Sequence, residues 1–131
     1  MKAPILVIAL FDLENTISHT DQIQKMLELS RNEKITLVPV KMEVINQVYF
    51  RDMSIDSLRG AEYLGQTDDK RAIRAFIGGV FKLCQPVCFG REKIIIYHSN
   101  NYEAEGKMLE ALVNGQKLIT EVIRSETPDF I

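Results

Sequence analysis

Residues 4–16 read Pro4-Ile5-Leu6-Val7-Ile8-Ala9-Leu10-Phe11-Asp12-Leu13-Glu14-Asn15-Thr16, and the change of character inside them decides the fold. From Ile5 to Leu10 every side chain is apolar, with no polar alternation. A strand wet on one face alternates; a short unbroken apolar run is expected where a parallel sheet is covered by helices on both faces. The run then ends in Asp12, Glu14, Asn15 and Thr16. In open α/β sheets ligands bind in the crevice beyond the carboxyl ends of the strands, so this polar end marks the expected site.

The rest of the chain supplies partners for that strand. Ile35 to Val40 reads as a second strand with Pro39 at its end, Lys93 to Ser99 as a third around Ile94-Ile95-Ile96-Tyr97, and Gln116 to Ser125 as a fourth. Helices are predicted between them. One follows capping side chains at Ser18 to Asp21, places Ile23, Met26, Leu27 and Ser30 on one face, and stops at Asn32. Met42, Ile45, Val48 and Tyr49 fit a helical stripe over Lys41 to Asp52, although Val44 to Phe50 is also rich in strand formers, and Asp56 to Leu64 reads as a short helix.

Thr67 is the expected cap of a longer helix, with Asp68 and Asp69 suited to its first turn and Ala72, Ile73, Phe76, Val80 and Leu83 as its stripe. Gly78-Gly79 inside it marks a close packing contact or a break, and Gln85 to Glu92 reads as a loop. Asn100 or Asn101 is the expected cap of a last helix, with Met108, Leu109, Leu112 and Val113 inward and Gly115 as its stop. The order β-α-β-α-α-α-β-α-β implies one domain, a three-layer Rossmann-like α/β sandwich with a mostly parallel sheet of about four strands.

At 131 residues, 46% hydrophobic and 26% charged, the chain has the composition of a single globular domain. A net charge of −2 does not indicate nucleic acid as a partner, which calls for a basic surface. Lys70, Arg71 and Arg74 form a local basic group, but Asp68 and Asp69 neutralise it, so a solvated helix face is expected. The opening apolar run is too short to span a bilayer and lacks a small-residue cleavage site after it; a soluble cytoplasmic protein without membrane contact is the expectation. Cys84 and Cys88 flank Gln85-Pro86-Val87, and with His98 they would make three zinc ligands, short of the usual closely paired four; reduced cysteines are the expectation.

The polar strand ends carry the candidate chemistry. Carboxylates at Asp12 and Glu14, with an amide and a hydroxyl beside them at Asn15 and Thr16, suit a hard divalent cation such as Mg²⁺, and such an ion can hold a phosphate for hydrolysis or transfer. Asp12 and Glu14 are then catalytic candidates. Asn15, Thr16, His98, Ser99 and Asn101 are the ligand-binding candidates, His98 as a base or a pH-sensitive ligand. The same residue types also serve as ordinary turn formers and helix caps. No P-loop, Gly-rich dinucleotide fingerprint or Gly-x-Ser-x-Gly elbow is present.

Phe11-Asp12-Leu13-Glu14-Asn15-Thr16-Ile17 resembles the first motif of the haloacid dehalogenase superfamily of phosphohydrolases, and the strand leading into Ser99-Asn100-Asn101 resembles its second. The resemblance implies a nucleophilic Asp12, a supporting Thr16 and a phosphate-binding Ser99; Glu14 stands where the family has a second aspartate. No counterpart of the family's later lysine and paired acids follows Ser99. A looser resemblance, to PIN-type ribonuclease domains, rests on Asp12 at the end of strand one and Glu43 just after strand two, and it implies that Asp12 and Glu43 hold a metal ion that activates water, with Glu43 a further catalytic candidate. Asp68 or Asp69 would be the third acid, with Asn101 where a further one would stand.

Two functions are therefore expected. The first is a non-catalytic module binding a ligand or protein, with a homodimer as one form and no cofactor assured. The alternative is a Mg²⁺-dependent phosphoester hydrolase or nuclease with its acidic site at the end of strand one.

Overall fold

The computed structural model describes residues 3–12, 19–42, 49–51, 62–64, 70–99 and 102–127. The elements in chain order are β1 (Ile5–Asp12), α1 (His19–Ser30), β2 (Ile35–Met42), β3 (Tyr49–Arg51), β4 (Glu62–Leu64), α2 (Lys70–Cys88), β5 (Lys93–His98), α3 (Glu103–Asn114) and β6 (Glu121–Ser125). Four strands form one wholly parallel sheet in the order β2-β1-β5-β6, and β3 with β4 forms a separate antiparallel pair.

Successive residues of a strand point to opposite faces, and both faces of β1 are dry. Leu6, Ile8 and Leu10 join Val38, Val40, Ile94 and Ile96 under residues of α2 and α3. Val7 and Ala9 join Ile35, Ile95 and Tyr97 with Leu29 of α1 on the other face. The result is a helix–sheet–helix sandwich, and it explains why β1 shows no alternation.

The direction of the chain explains which helix lies where. From β1 the chain steps outward to β2; it then returns past β1 to β5 and continues to β6. Crossovers of one hand put helices on opposite faces when the direction of travel reverses. α1 accordingly lies on one face and α2 and α3 on the other. No helix among the described residues is long and apolar enough to cross a membrane.

Several local expectations are corrected. Pro39 lies inside β2, paired in register with Ala9, rather than at its end. In the sheet β2 neighbours β1 alone, and an edge strand tolerates a residue without an N–H. Where a helix was expected over Lys41 to Asp52, Lys41 and Met42 continue β2 and Tyr49–Arg51 is strand β3; residues 43–48 lie outside the described set. Glu62–Leu64, expected at the end of a short helix, is the paired strand β4, which places Phe50 opposite Tyr63 in register.

The α2 helix runs through Gly78-Gly79 and Pro86 to Cys88, so the loop expected from Gln85 shortens to residues 89–92. Tyr102, without a side-chain capping bond, is the N-cap of α3; Asn100 and Asn101 lie outside the described residues. The expected cap Thr67 with Asp68 and Asp69 also lies outside them. At the other end of α3 Gly115 has φ −63°, so the helix stops without a left-handed glycine.

Candidate functional site

The reversal of direction between β1 and β5 is a topological switch point, from which helices leave to opposite faces; in open α/β sheets this is the place where a ligand crevice forms, beyond the carboxyl ends of the strands. β1 ends there at Asp12. Its register partners are Met42, the residue before Glu43, and two positions earlier Leu10 pairs with His98, the residue before Ser99. Two predicted site residues, Asp12 and Ser99, therefore lie at the ends of the adjacent strands β1 and β5. Beyond the strands, Glu14, Asn15, Thr16, Glu43 and Asn101 lie outside the described residues. Among the described residues no group of three His, Cys, Asp or Glu side chains is placed to hold a metal ion.

His98 is fully buried and both of its ring nitrogens are engaged. Arg124 Nη1 lies 2.8 Å from Nε2. A guanidinium only donates, so Nε2 accepts and the ring carries its hydrogen on Nδ1. That Nδ1–H donates to the Ser99 carbonyl oxygen at 2.9 Å. The same carbonyl accepts the Tyr102 backbone N–H at 3.0 Å, closing the turn from β5 into α3.

The ring fits because α3 has no side chain at Gly106. A Cβ there would stand 2.7 Å from both Cγ and Nε2 of His98. Arg124 is held in turn by acids. Its Nη1 also donates to Glu126 Oε1 at 3.2 Å, and its Nε lies 3.5 Å from Glu110 Oε1 on α3. Nearby, Lys107 is bonded to Glu103 at 2.7 Å and holds that carboxyl below its usual range.

Ser99 and Arg124 each keep a buried polar atom outside any hydrogen bond among the described residues, Arg124 Nε having only its ion pair to Glu110. Ser99 is 4% exposed, and its Oγ has no hydrogen-bond partner among the described residues. A buried hydroxyl left unpaired loses its hydration without replacement, which is unfavourable by about 1–3 kcal/mol.

At the amino edge of the sheet Gln116, between α3 and β6, likewise keeps both amide atoms buried without a hydrogen-bond partner among the described residues, whereas Arg91 is well bonded. Arg91, 6% exposed, donates from Nε to the Val87 carbonyl at 2.9 Å and from Nη1 to the Ala3 carbonyl at 2.8 Å and Thr36 Oγ1 at 2.7 Å. Its own carbonyl accepts Thr120 Oγ1 at 2.9 Å. This clasp ties α2, β1, β2 and the approach to β6 together and leaves its polar groups satisfied.

Cys84 and Cys88 are free thiols one helical turn apart on the buried side of α2, and the Cys88 thiol donates to the Cys84 carbonyl. His98 cannot join them. The chain passes from Cys88 into the amino end of β5, while His98 ends that strand, about 16 Å further along at 3.3 Å per residue. Burial pushes the Cys88 thiol upward, partly offset by Gln116 and Arg91.

Arg124, Gly106 and Glu110 complete the environment of His98 and were not singled out from the sequence. The available signal was a lone arginine in the otherwise strand-like Val122-Ile123-Arg124. No protein-family model matches the chain, and neither a curated protein nor a solved structure matches it.

Proposed function

We propose that this chain is a small α/β ligand-binding module whose site is the crevice at the carboxyl ends of β1 and β5. The observation that carries the reading is the buried, unpartnered Ser99 hydroxyl beside the switch point. It favours a small polar ligand presenting an oxygen or nitrogen to that hydroxyl. His98 has neither ring nitrogen left for such a ligand, which favours binding over acid–base catalysis at this residue.

The test is a ¹H–¹⁵N titration of the whole chain with ribonucleoside monophosphates, and separately with inorganic phosphate. Shifts confined to Asp12, Ser99 and Tyr102 are expected. Shifts around Phe89 and Ile119 at the amino edge, or none at millimolar ligand, would overturn the assignment.

A second reading is favoured by a different observation. The register pair Asp12–Met42 sets the end of β1 beside the residue that leads into Glu43. An aspartate ending one strand and a glutamate following the neighbouring strand in sequence suit a Mg²⁺ or Mn²⁺ ion and metal-dependent phosphoester cleavage. On this reading Mg²⁺ or Mn²⁺ binds with measurable heat, and Asp12→Asn removes both the heat and turnover of a phosphodiester. A heat unchanged by Asp12→Asn would end it.

A further inference from the structure

The buried groups around Ser99 form a chain of contacts that crosses three elements. Glu110 on α3 and Glu126 just past β6 hold the Arg124 guanidinium, which fixes the acceptor nitrogen of His98 on β5. That choice puts the ring hydrogen on Nδ1, where it holds the Ser99 carbonyl that also receives the Tyr102 N–H. Gly106 provides the space in which the ring lies.

We propose that Arg124 and His98 are positioning residues of the crevice, a relay from β6 and α3 that fixes the Ser99 turn and so presents its unpartnered hydroxyl to a ligand. The inference rests on the ligand-binding reading of that crevice for its purpose, and on geometry alone for its mechanism. Without a donor at Arg124, Nε2 is no longer required to accept. The ring hydrogen is then free to move to Nε2, which leaves two acceptors, Nδ1 and the Ser99 carbonyl, facing each other. The peptide after His98 turns away, and the hydroxyl carried by the same residue moves with it. Groups that only orient a binding residue typically change affinity by about 10–100-fold when removed.

The mechanism is tested by long-range ¹H–¹⁵N spectra of the imidazole nitrogens. The chain has two histidines, His19 and His98, so His19→Gln leaves a single ring to read. The intact relay gives the Nδ1–H tautomer at His98. Arg124→Met, which keeps an unbranched stem and removes every donor, gives a mixed or Nε2–H form, and Arg124→Lys, with one ammonium donor, restores Nδ1–H. An Nε2–H ring in the unmodified protein, or a tautomer unchanged in Arg124→Met, overturns the relay. The first of these needs no Arg124 variant to fold.

The purpose is tested with the probes of the crevice, inorganic phosphate and a ribonucleoside monophosphate. Arg124→Met weakens binding at least about tenfold and Arg124→Lys recovers most of it. If Ser99→Ala abolishes binding while Arg124→Met binds as the unmodified protein does, the positioning role falls and the crevice stands. If the unmodified protein binds neither probe, the crevice reading falls, and the tautomer alone decides whether the relay exists.

Discussion

Gly106 and His98 show how a single missing carbon shapes the carboxyl edge. Replacing a helical glycine by alanine normally favours the helix by about 1 kcal/mol. Here the added Cβ would collide with Cδ2 of a fully buried ring, nearer still than the 2.7 Å to Cγ and Nε2, and overpacking of that kind is unfavourable by about 1–3 kcal/mol or more. Gly106→Ala is therefore expected to lower stability by about 1–2 kcal/mol, read as a lower urea midpoint at unchanged slope. The cause is checked in a double-mutant cycle: with His98→Ala in place, the same change becomes neutral or stabilising. A loss of equal size in both backgrounds would assign the effect to something other than the ring.

Cys88 makes a second statement at this scale. Its thiol is pushed up by burial, so the native state keeps a proton that the unfolded chain gives up above about pH 8.5. With the folded value above the unfolded one, the stabilising contribution is complete below that pH and is lost as pH rises toward the folded value. Urea midpoints should fall between pH 8 and 10, with a slope from this group of at most about 1.4 kcal/mol per pH unit. Cys88→Ala lowers the baseline and removes that part of the slope; an unchanged slope would exclude Cys88 as its source.

Among the elements, α2 shows what the sequence discloses and what it hides. Ile73, Phe76 and Val80 were legible as its inward stripe and are buried. The stripe continues through Cys84 and Cys88 at helical spacing, both buried, and that continuation carries the helix past Pro86. A reading of the cysteines as a loop pair missed it because a thiol is also a small apolar side chain. Gly78 and Gly79 are neither a break nor a contact, since a Cβ at either meets nothing within 4 Å. Gly78→Ala and Gly79→Ala should each stabilise by about 0.5–1 kcal/mol, raising the thermal midpoint by a few degrees, opposite in sign to Gly106→Ala. Loss of stability in either would mean that α2 uses its glycines for a packing contact after all. The β3–β4 pair was illegible for another reason. Helical periodicity over Lys41 to Asp52 is local, whereas the pairing of Phe50 with Tyr63 is a choice of distant partner.

For the whole molecule, the covered parallel sheet was readable because it follows from periodicity and connectivity: an unbroken apolar β1 implies helices on both faces, and the reversal beside β1 sets the switch point at which the proposed crevice lies. The occupants of that crevice were only partly readable. Ser99 stood out by its place after a strand, but the Arg124–His98 bond joins residues 26 apart in the chain, and nothing local to either announces the other. Arg91 and Ser99, at opposite ends of the strands, then contrast. At the amino edge Arg91 satisfies its neighbours and serves stability. At the carboxyl edge Ser99 is buried without a partner among the described residues, an arrangement that is unfavourable for the empty fold and useful to a binding site. This difference has a direct consequence. Ser99→Ala removes the orphaned hydroxyl and should raise stability by about 1 kcal/mol in urea unfolding while abolishing phosphate or nucleotide binding at the crevice. Arg91→Met should do the reverse, losing about 2–3 kcal/mol of stability with binding intact in the folded fraction. A Ser99→Ala protein that is less stable than the parent would show the hydroxyl to be bonded within the fold, and the crevice would lose the group on which its assignment stands.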